Sequence, residues 1–102
     1  MDSNAFREIH SIDRLIHEPS RLSIMAVLYA LKEADFLYLL NITGLTKGNL
    51  SAHVSRLEES GYIEVEKKFI GKKPKTIYRL TPRGEKAFEE YLSKIKKIVQ
   101  SL

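Results

Sequence analysis

The stretch LYLLNITGLTKGNLSAHVSRLEESGYI, residues 37–63, has the pattern of a helix, a tight turn and a second helix. LYLLNIT forms the first helix and runs into Gly44, a residue type that readily adopts the left-handed conformation in which helices end. The Thr46 hydroxyl can cap the second helix, KGNLSAHVSRLEES, which stops at Gly61. We therefore predict a helix-turn-helix here.

The second helix of this stretch has an apolar face and a small polar face. At about 100 degrees per residue, Leu50, Val54 and Leu57 share the side that would face a core. Asn and Arg side chains carry paired donors and acceptors that match adenine and guanine edges, so the polar face is a candidate base-reading surface. A solvated polar face is the alternative. The candidate residues are Thr46, Lys47, Gly48, Asn49, Ser51, Ala52, Ser55 and Arg56.

Two strand-like runs of alternating character, IEVEKKFI and TIYRLT, follow directly. They are joined by GKKPK, in which Gly71 and Pro74 are turn residues, so the sequence predicts a β-hairpin with a lysine-rich tip. A solvated charged turn would explain the lysines. Phosphate neutralisation is the better explanation, because base-compatible side chains lie next door. The candidate phosphate contacts are Lys68, Lys72, Lys73, Lys75 and Arg79.

The order of helix, LTKGNLSAHVSRLEESGYI, basic hairpin and RLTPRGEKA closely resembles the winged-helix transcriptional regulators of the MarR and ArsR superfamily. EPSRLSIMAVL resembles the helix that precedes the helix-turn-helix in these regulators. The resemblance extends from about Glu18 to Tyr91. It implies an α+β, winged helix-turn-helix fold that is mostly helical, with the hairpin as the wing. The chain lacks the cysteine ligands of metal-sensing ArsR members, so the resemblance does not extend to metal sensing.

Length and composition indicate one small domain over residues 1–102. We divide it into an N-terminal helix at 1–17, a winged-helix core at 20–80 and a C-terminal helix at 82–102. The chain has no cysteine, which excludes disulfides and thiolate metal sites, and it has no apolar run that suggests a membrane span or a signal peptide. We expect a cytoplasmic protein with no membrane partner.

The net charge of +4 is unevenly distributed along the chain. Residues 1–46 carry a net charge of −2, whereas residues 47–102 carry +6. The basic half contains the hairpin and the second helix of the helix-turn-helix, which we call the reading helix. Such asymmetry fits a polyanion bound on one side of the molecule, although it does not distinguish DNA from RNA or from an acidic protein.

The two ends of the chain carry apolar stripes that indicate a homodimer. Thr81 and Pro82 begin a last helix whose apolar residues recur at three- and four-residue steps to the end of the chain. Packing against the chain's own domain is the alternative for both stripes, and the N-terminal helix is equally compatible with either. The C-terminal stripe comprises Phe88, Tyr91, Leu92, Ile95, Ile98, Val99 and Leu102, and the N-terminal stripe comprises Phe6, Ile9, Ile12, Leu15 and Ile16.

The remaining chemically capable residues do not indicate catalysis, a cofactor or a metal. His10 and His17 lie seven residues apart on one predicted helix, too far to share a metal ion. His53 falls on the inner shoulder of the reading helix, where a structural histidine is favoured over a base contact. Arg21 could contact a phosphate or form an ion pair within the domain. No HExxH or GxGxxG motif is present.

These patterns lead to one hypothesis and one alternative. We expect a homodimeric regulator that binds double-stranded DNA sequence-specifically and represses by occupying promoters. The resemblance also implies an unidentified small-molecule effector, which would bind between the dimerisation helices and the DNA-binding helix-turn-helix. The alternative is a winged-helix module that binds another protein within a larger assembly, and such a module should show neither salt-sensitive duplex binding nor sequence preference.

Overall fold

A computed structural model describes residues 3–102 of the chain. Helices and a three-stranded sheet alternate along these residues, which confirms the predicted α+β, mostly helical fold with a hairpin. The elements are α1 (Ser3–Arg7), a 3-10 helix (Glu8–Ser11), α2 (Pro19–Leu31), β1 (Glu33–Asp35), α3 (Phe36–Thr43), α4 (Lys47–Glu59), β2 (Ile63–Ile70), β3 (Lys73–Leu80) and α5 (Pro82–Gln100).

Each of the four longer helices begins at a side chain that accepts a hydrogen bond from a backbone amide of the first turn. Glu18 caps α2 and Asp35 caps α3, each at 2.8 Å. Thr46 caps α4 at 3.2 Å and Thr81 caps α5 at 3.0 Å, as predicted for both threonines. These acceptors satisfy amide groups that have no partner inside the helix, and they fix where each helix starts.

The core lies where α2, α3 and α4 meet the sheet. Ile24 and Leu28 of α2 are buried against Leu39 of α3, and Leu50 and Leu57 of α4 close the same cluster. Burial of a side chain of this size contributes about 1.5 to 3 kcal/mol, so this cluster holds the helix-turn-helix together. Gly44 ends α3 in the left-handed conformation, with φ of 71°, as its place in the sequence predicted.

The sheet is antiparallel, with strand order β1-β3-β2. Ala34 of β1 lies opposite Tyr78 of β3, and Ile63 of β2 lies opposite Leu80. The side chains of Ala34, Tyr78 and Ile63 are buried in the core. β1 was not predicted, because three residues are too few to show an alternating pattern.

The hairpin turn is shorter than the predicted loop at residues 71–75. β2 ends at Ile70 and β3 begins at Lys73, so the turn consists of Gly71 and Lys72 alone. Gly71 has φ of 65° at the first central position, which fits a two-residue type II′ turn. Pro74 is therefore a strand residue rather than a turn residue. It lies opposite Phe69, in the pair that exchanges no backbone hydrogen bonds, so its missing N–H leaves no gap in the ladder.

The predicted continuous helix at residues 1–17 is wrong. Residues 1 and 2 lie outside the described part of the chain, and α1 ends at Arg7 before the 3-10 helix. Asp13 then breaks the helical pattern, because its Oδ1 accepts hydrogen bonds from the amides of Leu15 at 2.9 Å and Ile16 at 3.3 Å. His10 and His17 consequently do not share a helix.

The first turn of α5 approaches the backbone after α4 very closely. The amide of Thr81 donates to the Tyr62 carbonyl at 3.0 Å, and the Thr81 hydroxyl donates to the Gly61 carbonyl at 2.5 Å. A Cβ atom added at Gly84 would lie 1.9 Å from the Tyr62 carbonyl oxygen. Only glycine fits at this position, so Gly84 fixes the angle at which α5 leaves the sheet.

We expect Gly84→Ala to lower the free energy of unfolding by about 1 to 3 kcal/mol, because the added methyl group pushes the first turn of α5 away from the Tyr62 backbone. Urea unfolding followed by circular dichroism would measure this change. Gly48→Ala is the matched control, since an added Cβ there has no neighbour within 4 Å. It should change stability by no more than about 1 kcal/mol. Equal stability of the two variants would contradict the role of Gly84.

Candidate nucleic-acid interface

The polar face of α4 is open to solvent over its whole length. Leu50, Val54 and Leu57 point into the core, as their spacing predicted. α4 therefore presents a continuous polar surface that nothing in residues 3–102 covers. The predicted reading residues are all exposed on this surface, namely Thr46, Lys47, Gly48, Asn49, Ser51, Ala52, Ser55 and Arg56.

A buried arginine connects the start of α2 to α4 beneath this surface. Arg21 is 7% exposed, and its Nε donates to the Leu15 carbonyl at 2.5 Å. Its Nη1 lies 3.2 Å from Nδ1 of His53 on α4. Because a guanidinium only donates, Nδ1 of His53 accepts in this contact. The phosphate contact considered for Arg21 is therefore wrong, and His53 has a structural partner within the domain.

Glu18 completes this cluster from the cap of α2. Its Oε1 lies 3.9 Å from Nη1 of Arg21 and 3.9 Å from Nδ1 of His53. Burial raises the pKa of the Glu18 carboxyl, but hydrogen bonds from the amides of Arg21 and Ser20 outweigh that effect and hold its pKa below the usual value. The ionised carboxylate balances the buried guanidinium, so α4 is held in place by a compensated charge.

A groove of about 280 Å³ separates α4 from the hairpin. Ser51, Ser55 and Glu58 line it on the helix side, and Lys67 and Thr76 line it on the hairpin side. The outer face of α4 and one face of the hairpin thus form a single concave surface.

The wing lysines lie together at the far end of the hairpin. Lys68, Lys72, Lys73 and Lys75 are all exposed, with Lys72 in the turn itself. Lys75 lies 3.3 Å from the carboxylate of Asp35. The hydrogen bond from the Tyr38 amide, together with Lys75, lowers the pKa of Asp35, so this carboxylate stays charged. Lys75 therefore has an ion-pair partner. Lys72 and Lys73, nearer the turn, have none within residues 3–102.

Arg79 does not belong with the wing lysines, although we predicted it there. Its Nη2 lies 2.7 Å from Glu33 of β1 and 2.9 Å from Glu66 of β2. Hydrogen bonds to Glu66 and Glu33 raise the pKa of the guanidinium. The reason is the register of the unpredicted strand β1, which places Glu33 directly opposite Arg79. Arg79 bridges the three strands, and its charge is balanced inside the sheet.

The apolar stripe of α5 divides into a buried part and an exposed part. Phe88 and Tyr91 are buried in the chain's own core, so their prediction as dimer contacts is wrong. The alternative of packing within the domain holds for both. Ile95 and Ile98 are partly buried against the same core. The exposed part consists of Leu92, Val99 and Leu102, with exposed fractions of 42%, 60% and 86%.

The N-terminal segment packs along α5 of its own chain. Lys97 of α5 forms an ion pair with Glu8 at 3.2 Å, and Lys94 donates to the Ser11 carbonyl at 3.0 Å. Ile12 and Ile16 are buried, so these two members of the N-terminal stripe belong to the domain core. Ile9, on the 3-10 helix, remains 48% exposed.

Two polar contacts fix the loop between this segment and α2. Nδ1 of His17 lies 2.9 Å from the Tyr91 hydroxyl, and the Tyr62 hydroxyl donates to Asp13. Burial and the hydrogen bond to Asp13 raise the pKa of Tyr62 to about 12. The loop is thereby attached at Tyr62, the residue after α4 that the first turn of α5 also approaches.

Sequence reasoning missed the apolar residues at the tip of the hairpin. Phe69 and Ile70 are exposed by 74% and 53%, directly before the turn. The signal was present in the alternation of IEVEKKFI, in which two large apolar residues follow two lysines. The alternating pattern predicts one buried face along the whole strand, and it does not show that burial ends before Phe69.

The described residues meet neither the requirements of a metal site nor those of a membrane-spanning helix. Across residues 3–102, no three His, Asp or Glu side chains lie close enough together to hold a metal ion. No helix within that range combines the length and the apolar character needed to cross a membrane.

A helix-turn-helix whose second helix exposes a polar face beside a basic hairpin defines a winged-helix protein of the DNA-binding class. Residues 20–99 match the family described as the winged helix DNA-binding domain, and the chain belongs to this family. The predicted resemblance to winged-helix transcriptional regulators is thereby confirmed.

Known proteins similar to this chain include archaeal and bacterial ones. The uncharacterized protein MJ0432 of Methanocaldococcus jannaschii is 35% identical over 89 residues, which cover 87% of this chain and 97% of that protein. A transcriptional regulator homologue of Pyrococcus horikoshii OT3 has a TM-score of 0.86 at 28% identity, with 96% of each chain covered. A MarR-family protein of Enterococcus faecalis V583 shares the fold, with a TM-score of 0.75 at 22% identity, over 99% of this chain and 88% of that one.

Proposed function

We propose that this DNA-binding regulator is a homodimer that recognises specific duplex sequences and represses transcription by occupying them. The observation that carries the proposal is the single concave surface formed by the exposed face of α4 and the lysine-bearing hairpin. A major groove admits a helix of this kind, and the adjacent phosphates lie within reach of a wing.

Reading and anchoring are divided between the two elements. Asn49 and Arg56 have the side chains that pair with adenine and guanine edges, and both are exposed on α4. Ser51 and Ser55 line the groove and can reach bases or phosphates. The wing residues Lys68, Lys72 and Lys73 neutralise phosphates, and Lys75 does so by exchanging Asp35 for a phosphate. Arg79 is left out because two carboxylates, Glu33 and Glu66, hold it.

The exposed part of the α5 stripe is the proposed dimer contact. Leu92, Val99 and Leu102 expose apolar surface that the chain's own core does not cover, and Ile9 lies on the 3-10 helix that packs against α5. Two symmetric copies would bury these side chains against each other. Each copy would then offer one α4, so that the dimer reads two half-sites related by the same symmetry.

A small-molecule effector would act through the region between α5 and the reading head. The nearest cavity, of about 280 Å³, lies between the N-terminal segment and α5 and reaches Tyr62 after α4; its lining includes Asp13, Tyr91 and Lys94. Its volume is near the lower limit of ligand pockets, roughly 300 Å³. A ligand in it would touch the contact between Tyr62 and Asp13, which ties the N-terminal segment to the end of α4.

Substitutions on α4 test sequence reading. Asn49→Ala or Arg56→Ala should reduce the preference for a selected duplex over random duplex by about 1 to 3 kcal/mol, if each makes a paired base contact. Fluorescence anisotropy with competing random DNA would measure the preference. Gln100→Ala and Arg14→Ala are the controls, because each removes a side-chain amide or a guanidinium at an exposed position outside α4. Unchanged preference in both α4 variants would refute this assignment of the reading residues.

Neutralisation of the wing tip tests phosphate anchoring. Lys72→Gln with Lys73→Gln should weaken binding to all duplexes, and the slope of log affinity against log salt should fall by about 0.9 for each phosphate that is no longer neutralised. The control Arg14→Gln with Lys86→Gln removes the same charge elsewhere on the surface. If both double variants behave alike, the lysines serve only solubility, and the protein-interaction alternative is favoured.

A charge on the exposed α5 stripe tests the dimer. Val99→Glu should convert the dimer to a monomer, because a carboxylate in a paired apolar contact loses its hydration without compensation. Ser93→Glu places the same charge on the outer side of α5 and should leave the dimer intact. Light scattering after size exclusion gives the mass of each variant. A dimeric Val99→Glu protein would exclude this contact.

A further inference from the structure

The tip of the wing exposes two large apolar side chains that the proposed phosphate contacts do not use. Phe69 is 74% exposed and Ile70 is 53% exposed, so most of the first side chain and about half of the second are open to solvent. A hairpin tip that only has to stay solvated does not need such residues, and exposed apolar clusters commonly mark binding sites.

The pleat of β2 points Phe69 toward the reading helix. Side chains alternate across a strand, so Phe69 shares a face with Val65 and Lys67, and both of these line the groove beside α4. Ile70 shares the opposite face with Lys68. Phe69 therefore extends the concave surface that begins at Ser51 and Ser55, whereas Ile70 does not.

Phe69 is also held on a stiff support. It lies opposite Pro74 in the cross-strand pair next to the two-residue turn. In a pair without backbone hydrogen bonds the side chains approach most closely, and the proline ring has a fixed φ. The backbone that carries the aromatic ring is therefore well defined beside the two-residue turn, and little backbone entropy is lost when the ring is inserted into a partner.

The charged residues nearest to Phe69 along the hairpin are all lysines. Residues 67–75 contain five lysines and no acidic residue. An apolar ring flanked by lysines is complementary to a duplex minor groove, where stacked base steps lie between two rows of phosphates. The same hairpin face continues into the surface proposed to follow the major groove, so one duplex can contact both.

We propose that Phe69 is an apolar wedge that enters the minor groove next to the site read by α4, partly unstacks one base step and bends the duplex. This inference rests on the proposed function and adds a shape-dependent contribution to sequence preference. Pyrimidine–purine steps unstack most readily, so such a step should be preferred at a fixed distance from the bases read by α4.

Alanine substitutions at neighbouring positions test the wedge. The probe is the tightest-binding duplex that the wild-type protein retains from random DNA. Phe69→Ala should weaken its binding on the order of tenfold to a hundredfold, the usual effect of removing one aromatic ring that stacks on a base. The slope of affinity against salt should stay unchanged, because every phosphate remains neutralised as in the wild type. Ile70→Ala is the control on the opposite face and should have a much smaller effect.

The chain contains no tryptophan, which permits a direct optical test. In Phe69→Trp, the indole emission should be quenched by the duplex and shielded from iodide, whereas in Ile70→Trp it should stay accessible. Energy transfer between dyes at the two duplex ends should show bending by the wild-type protein, and the bend should disappear in Phe69→Ala.

Three outcomes would overturn the wedge, and they are distinguishable. If the wild-type protein binds duplex but Phe69→Ala binds and bends it equally well, the wedge is excluded and the proposed function stands. If the wild-type protein binds no duplex, both fail. If vesicles of anionic phospholipid shield the Phe69→Trp indole and duplex does not, the tip contacts a lipid surface instead.

Discussion

The close approach of α5 to the backbone at Tyr62 is the constraint on which the arrangement of the functional elements depends. At this point α4 has ended and β2 begins, while β3 has ended and α5 begins. Thr81 bonds to both the Gly61 and Tyr62 carbonyls, and the missing side chain of Gly84 lets the helix lie against them. The reading helix, the wing and the proposed dimer helix are thus joined at one rigid junction.

This junction relates the geometry of a dimer to the geometry of DNA reading. Because α5 cannot change its angle without moving the end of α4, a symmetric contact along α5 would set the separation of the two reading helices. That separation must match successive turns of the duplex. The Tyr62 hydroxyl extends the junction to Asp13, so the N-terminal segment is tied to it as well. A ligand beside Asp13 could therefore alter DNA binding through this one point.

The sequence predicted the local features of the fold and missed the non-local ones. Thr46, Gly44 and Thr81 were correctly placed because capping depends on neighbours within four residues. β1 was not visible, and the pairing of Glu33 with Arg79 was hidden with it. The division of the α5 stripe into the buried Phe88 and the exposed Val99 also depends on contacts distant in sequence. The candidate reading face could be predicted since outward orientation follows from helical periodicity alone.

The distribution of ion pairs explains why the tip, rather than the whole hairpin, carries the proposed interaction with DNA. Arg79 at the base of the hairpin is balanced by Glu33 and Glu66, and Lys75 meets Asp35. These pairs lie on β1, β2 and β3 and stabilise the sheet in the absence of any ligand. Positive charge that is not compensated in this way increases toward the turn, where Phe69 is also most exposed. A duplex attracted by the tip would therefore meet the apolar ring and the cations together, and affinity and bending would arise from the same few residues.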